Sequence, residues 1–262
     1  MTPRPPLQGR RIVVTRSRDQ ADSLADALRA LGATPILAPS IQSAPTADPA
    51  ALAAAVEDLG GVRWLGFTSP SGVRHGWPAV AAAWPAGVPD GVGIAAVGPG
   101  TADALAEHGV RVDFIPDASS GDAFADELPL VAGDRVVLLR SDIARRAVAE
   151  RLRARGASVT DAVAYRTVVG ASPLTTRRAL DAQPDAVTFT SPSTVRGFLD
   201  PLVSDADRSV LPSLAPSLGA AALVAIGPVT ANELQRYGLA ATVTADPSTL
   251  AGLTDALVRL FA

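Results

Sequence analysis

The residues best suited to chemistry in this chain are small neutral donors and arginines at the ends of short apolar runs. Phe67-Thr68-Ser69-Pro70-Ser71 recurs as Phe189-Thr190-Ser191-Pro192-Ser193. A serine at the N-cap followed by proline at the first helical position is a strand-to-helix hand-over. Such a turn leaves backbone N–H groups without partners, and it attracts anions. Gly98-Pro99 and Gly227-Pro228 mark two more helix starts, with Thr101 and Thr230 in their first turns. Arg16 and Arg140 close two apolar runs, Ile12-Val13-Val14 and Val136-Val137-Leu138-Leu139. A guanidinium there can take a carboxylate or make a surface salt bridge. Ser69 and Ser191 can equally be helix caps and nothing more, and the residues alone leave both choices open. Tyr165 lies in an extended stretch where a phenol can donate a proton without first being charged, or simply pack. Tyr237, the other tyrosine, ends a helical segment and reads as structural.

What is missing sharpens the chemistry. There is no cysteine, which removes disulfides, thiolate catalysis and thiolate-bound zinc. All 23 basic residues are arginine, so Schiff-base chemistry and a P-loop lysine are also excluded. His75 and His108 are far apart in polar settings, which predicts surface roles and no metal site. No Gly-x-Gly-x-x-Gly follows the first strand, and no Gly-x-Ser-x-Gly elbow occurs. The net charge of −3 argues against a nucleic-acid partner. No apolar run of about 18 residues predicts a membrane span. The Pro-rich start, 1–7, does not read as a secretion signal, and a cysteine-free chain fits the cytoplasm. The pattern suits a polyanionic organic ligand bound by amide dipoles and arginine.

These residues need a frame. Short apolar strands alternate with helical segments along the chain, which predicts α/β architecture with parallel sheets covered on both faces. Arg11–Thr15, Arg135–Arg140, Ala186–Thr190 and Leu223–Ile226 read as buried strands. Helical spacing of Leu24, Leu28 and Leu31 ends at Gly32, a C′ glycine. The helix after Ser69 is expected to break near Trp77-Pro78. Val112–Pro116 reads as a short strand and 205–218 as a loop. Stretches 34–44 and 159–168 look extended, and Pro35 and Pro39 argue against a central strand in the first.

Three βα units occur twice in the same order. Thr68 and Thr190 stand 122 positions apart, Arg16 and Arg140 124, Thr101 and Thr230 129. Two copies at so long a period mean two related domains, not a solenoid. The chain either divides once near 130 or crosses between domains twice, through the two extended stretches. In doubly wound sheets ligands bind beyond the carboxyl ends of the strands, where every duplicated element lies. Two functions compete on this pattern: a hinged, non-enzymatic two-lobe binding module and a nucleotide-dependent transferase. The second lacks a glycine-rich phosphate loop.

At this point the residues resemble the uroporphyrinogen-III synthase family over nearly the whole chain. The resemblance is carried by the opening strand with Arg16, Gly32-Ala33, Phe67-Thr68-Ser69-Pro70, and Val97-Gly98-x-x-Thr101-Ala102. It continues through Arg145 before Gly156-Ala157, Tyr165-Arg166-Thr167, Phe189-x-Ser191-Pro192-Ser193, and Ile226-Gly227-Pro228-x-Thr230-Ala231. It implies two related α/β domains with parallel sheets, flavodoxin-like, joined by a two-stranded β ladder. The first comprises 1–34 with 170–262 and the second 47–158, with 35–46 and 159–169 as linker strands. It implies a cytoplasmic, monomeric enzyme of tetrapyrrole (haem) biosynthesis, a cyclising hydro-lyase. Such an enzyme closes hydroxymethylbilane to uroporphyrinogen III with loss of water and inversion of ring D.

No cofactor and no metal are implied. The partner is the small-molecule substrate hydroxymethylbilane, with a transient contact to hydroxymethylbilane synthase allowed, and neither nucleic acid nor membrane. Tyr165 matches the family tyrosine thought to assist departure of the hydroxyl. The matched positions Arg16, Thr68, Ser69, Gly98, Thr101, Arg140, Arg145, Ser191, Ser193, Gly227 and Thr230 would bind substrate. On residue pattern alone Arg145-Arg146 reads as a solvated helix face. Val229 stands where some relatives carry a second threonine, so Thr230 alone must serve there.

Overall fold

The computed structural model describes residues 4–144, 146–202, 218 and 221–262. In chain order the elements are β1 (Arg11–Val14), α1 (Arg18–Ala30), β2 (Thr34–Leu37), β3 (Ile41–Pro45), α2 (Pro49–Glu57), β4 (Val62–Phe67), α3 (Pro70–Ala83), β5 (Gly93–Ala96) and α4 (Pro99–Ala106). There follow α5 (Gly121–Glu127), β6 (Arg135–Ser141), α6 (Ala147–Ala154), β7 (Ser158–Val169), α7 (Pro173–Asp181), β8 (Ala186–Phe189) and α8 (Pro192–Leu199). The last are β9 (Ala222–Ala225), α9 (Pro228–Gln235), β10 (Val243–Thr244) and α10 (Leu250–Phe261). The expected loop at 205–218 lies, but for Leu218, outside the described residues.

The chain forms two compact units, Met1–Gln42 with Val168–Ala262, and Ser43–Thr167. The first unit holds a sheet in the order β10-β9-β8-β1-β2, with each of these pairs parallel. Its strands are apolar because both faces are covered. Ile12 and Val14 point into one cluster with Leu24, Leu28, Leu253 and Leu257, while Val13 points into the other with Phe189, Phe198 and Leu234. The second unit is built around the order β3-β7-β6-β4-β5, and β7-β6-β4-β5 are parallel neighbours. One cluster gathers Leu65, Phe67, Val137 and Leu139, the other Trp64, Phe124, Val136 and Leu138.

The duplication seen in the sequence is a duplication of pairing register. Phe67 lies opposite Ala96, and its counterpart Phe189 lies opposite Ala225. Ala95 bridges Phe114 as Val224 pairs with Val243. The strand expected at 112–116 is reduced to that single bridge at Phe114.

The stretches expected as linker strands, 35–46 and 159–169, fall largely within β2, β3 and β7. Residues 34–37 form β2 at the sheet edge, where Pro35 needs no donor on its outer side. Residues 158–165 run beside β6 as β7, and β3 lies next to β7 in the same sheet. The helix after Ser69 does not break at Pro78. Against the expectation it continues to Ala83, and Pro78 lies on its exposed face.

Candidate functional site

The carboxyl ends of β4, β6 and β7 enclose a cleft of about 370 Å³ in the second unit. Thr68 and Ser69 line it from the β4–α3 turn, Arg140 and Ser141 from the end of β6, and Tyr165 and Thr167 from β7. Ser120 and Gly121 contribute the start of α5.

Ser69 is both cap and wall. Its backbone is extended, and its Oγ accepts the N–H of Gly72 at 3.0 Å, which closes the first turn of α3. The same oxygen lies 3.1 Å from the Tyr165 hydroxyl. Pro70 at the first helical position fixes the turn. Tyr165 is further held by His75, whose ring stacks on it at 5.8 Å and 24° while its Nε2 lies 3.1 Å from Ser43 Oγ. His75 is half-buried in this stack and so departs from the surface role its polar setting suggests.

Arg140 is not a free guanidinium. Only 3% exposed, it donates Nε–H to Asp161 Oδ1 at 2.8 Å, and its second nitrogen closes a bidentate pair with Oδ2. Arg140, a wall residue of the cleft, is thus paired internally with Asp161. Beside it, Ser141 Oγ lies 3.0 Å from Thr167 Oγ1 and donates to Asp142 Oδ1 at 2.9 Å. Asp142 Oδ1 also accepts the N–H of Thr167 at 3.0 Å. Arg145 lies outside the described residues.

The first unit carries the corresponding turns. Ser191 caps α8 in a capping box, accepting the N–H of Thr194 at 3.2 Å while Thr194 Oγ1 accepts the N–H of Ser191 at 3.1 Å. Ser193 Oγ lies 2.8 Å from Ser191 Oγ. Gly227 begins α9 and Gly98 begins α4, both with extended backbone and no side-chain cap. A side chain at either position would have to displace a neighbouring serine. A Cβ on Gly98 would stand 2.6 Å from Ser119 Oγ, and one on Gly227 would collide with Ser248. Thr101 and Thr230 are each 3% exposed, so they pack under their helix starts, whereas Val229 is 60% exposed. Arg16 follows β1; its Nε is buried without a partner, and burial lowers its pKa.

The structure thus gathers Thr68, Ser69, Arg140 and Tyr165 round one cleft. It sets Arg16, Ser191, Ser193, Gly227 and Thr230 at the strand ends of the first unit, and Gly98 and Thr101 at that of β5 in the second. Sequence reading missed Ser120, Asp142, Ser141 and Thr167 as lining or bracing groups. Ser141 was visible only as the neighbour of a repeated arginine, and Ser120 carried no signal beyond an ordinary cap. Among the described residues no group of acidic or histidine side chains could hold a metal ion.

Comparison with known proteins follows the same lines. The family model for uroporphyrinogen-III synthase HemD matches residues 22–255. The uroporphyrinogen-III synthase of Synechococcus elongatus is 30% identical over 258 residues, covering 96% of each chain. A putative uroporphyrinogen-III synthase of Methanothermobacter thermautotrophicus is 34% identical over 170 residues, 63% of this chain and 65% of the relative. The porphyrin biosynthesis protein HemD of Ruminiclostridium josui is 28% identical over 260 residues, so this chain spans 49% of that longer protein. Among solved structures, the uroporphyrinogen-III synthetase of Helicobacter pylori superposes with a TM-score of 0.59 at 18% identity, covering 96% of this chain and 99% of that one. A mutant uroporphyrinogen III synthase of Thermus thermophilus gives 0.53 at 20% identity, covering 96% and 98%. These two superpositions carry the fold alone.

Proposed function

Because the chain belongs to the uroporphyrinogen-III synthase family, we propose that it cyclises hydroxymethylbilane to uroporphyrinogen III, with loss of water and inversion of ring D. The observation that supports this most is the Tyr165 hydroxyl, hydrogen-bonded to Ser69 at the N-terminus of α3 on the wall of an open cleft.

Electrons from the pyrrole nitrogens expel the hydroxyl, and Tyr165 gives it the proton that makes it water. The charge left on the phenol oxygen lies at the positive end of α3, with Ser69 as its hydrogen-bond partner. An electrophilic azafulvene results. Attack through the substituted carbon of ring D forms a spiro intermediate. The bond from that carbon to the methylene of ring C then breaks, and the free α-carbon of ring D attacks the second azafulvene so formed, which leaves the ring inverted. A proton leaves the joined pyrrole carbon, so proton uptake and release cancel. Without an enzyme the bilane closes to the uninverted isomer I. The protein's contribution is therefore orientation of one folded conformer. Backbone N–H groups at the helix starts of Ser69 and Gly98 serve the substrate's carboxylates. A cytoplasmic location and direct transfer from hydroxymethylbilane synthase belong to the same proposal. No described helix is long and apolar enough to cross a membrane.

The test supplies hydroxymethylbilane, oxidises the products and resolves the isomers by chromatography. Isomer III formed faster than spontaneous closure to isomer I is the expected result. Isomer I alone, at the spontaneous rate, rejects the proposal.

A further inference from the structure

The two units carry a duplicated arginine whose copies differ, and strand register shows why. β1 pairs with β2 so that Val14 lies opposite Leu37, and β6 pairs with β7 so that Leu138 lies opposite Asp161. Val14 and Leu138 stand 124 positions apart, as do Leu37 and Asp161, and as do Arg16 and Arg140. At the position of β2 that corresponds in register to Asp161, the partner of Arg140, the first unit therefore carries Leu37 and no acid. Arg140 spends its guanidinium on Asp161 and is 3% exposed. Among the described residues Arg16 has Gln20 Oε1, a neutral acceptor 3.3 Å away, and its buried Nε has no partner. Burial lowers its pKa, as expected for a cation that has lost water without gaining a counter-charge. Ser17, the N-cap of α1, makes no capping hydrogen bond, so the amides of that first turn also lack the usual side-chain acceptor.

We infer that Arg16 is the guanidinium kept for a carboxylate of the ligand, that Leu37 keeps it available, and that its copy Arg140 has become structural. This rests on the function proposed above, in which hydroxymethylbilane supplies the carboxylates. A planar fork with one desolvated, unsatisfied N–H gains most from a bidentate acceptor, and a carboxylate is that acceptor. The same fork in the second unit shows the geometry when the acceptor is built into the protein. Leu37 is 45% exposed, so an acidic side chain fits there without opening the core.

The experiment measures KM and kcat with hydroxymethylbilane for the wild type, Leu37→Asp, Leu37→Asn, Arg16→Gln and the double variant Arg16→Gln/Leu37→Asp, with melting temperatures for each. Leu37→Asp should raise KM roughly tenfold with kcat nearly unchanged, because it rebuilds the Arg140–Asp161 pair around Arg16. Leu37→Asn, of the same size without charge, should leave KM where it was. Arg16→Gln should reproduce the rise, and adding Leu37→Asp to it should do little more, which separates neutralisation of Arg16 from general repulsion of an anionic substrate. Wild-type production of isomer III with KM indifferent to Leu37→Asp and Arg16→Gln, both folded by melting, overturns the assignment while the proposed function stands. A further large rise in the double variant overturns it too, since the new charge then acts without Arg16. A wild type that forms no isomer III removes the reading on which the assignment rests.

Discussion

The role proposed for Tyr165 rests on what surrounds its oxygen rather than on its ring. Removing only that oxygen, in Tyr165→Phe, keeps the stack on His75 and loses the bond to Ser69. Turnover should fall by about a hundredfold, within the range for loss of a general acid, while KM stays nearly constant. Equal kcat for the two proteins would remove Tyr165 from the reaction. Asp161 poses the opposite case. Asp161→Asn strips the counter-charge from a buried guanidinium, and unfolding free energy should drop by about 3 kcal/mol in a denaturant titration. A loss under about 0.5 kcal/mol would mean that the pair is no more than a surface contact. At this scale the sequence was a partial guide. Tyr165 stood out through rarity and family pattern. The fate of Arg140 was hidden, because its partner lies 21 positions on, in a different strand, and only register brings them together.

Elements were more legible than contacts, since apolar runs and Ser-Pro or Gly-Pro starts act over a few residues. Where reading failed, a tertiary feature overrode a local rule. Pro78 stays inside α3 because its side of the helix faces solvent, and Pro35 sits in a strand because that strand is an edge. Capping gives a direct check. Ser191→Ala should cost about 1 kcal/mol in thermal or denaturant unfolding whatever the protein's activity. A loss of substrate affinity beyond that would show that the cap also meets the ligand. Strand ends offer a second check through pH. Asp185 joins the start of β8 to β1 by accepting Arg11 N–H at 2.8 Å and Arg10 at 2.9 Å. Burial pushes its pKa up, but the bonds from Arg11 and Arg10 outweigh that and hold it below the usual carboxylate range. A depressed pKa means stability present above the unfolded value and lost as pH falls through the folded one. The stability gap between wild type and Asp185→Asn should therefore be constant near neutrality and shrink below about pH 4. A gap that persists in acid would assign the effect to packing.

At the scale of the whole molecule, the duplicated pattern and the order of strands describe one architecture used twice with different connectivity. The strands β7-β6-β4-β5 repeat β2-β1-β8-β9, yet β4 to β7 are continuous in sequence while β1, β2, β8 and β9 are assembled from both ends of the chain. The sequence repeat showed the copies but could not say where the chain crosses over, because extended residues look alike whether they link domains or border a sheet. The two connectivities have different consequences for folding. Residues 43–167 contain β4 to β7 and both of their apolar clusters, so they hold a complete core. Expressed alone, this segment should melt cooperatively with far-UV circular dichroism of a mixed α/β protein. A segment ending at residue 42 has β1 and β2 but not β8, which covers the other side of β1, and should remain unfolded. It should gain structure only when 168–262 is added. Cooperative melting of 1–42 by itself, or a disordered 43–167, would show that the contacts defining the units are not the ones that stabilise them.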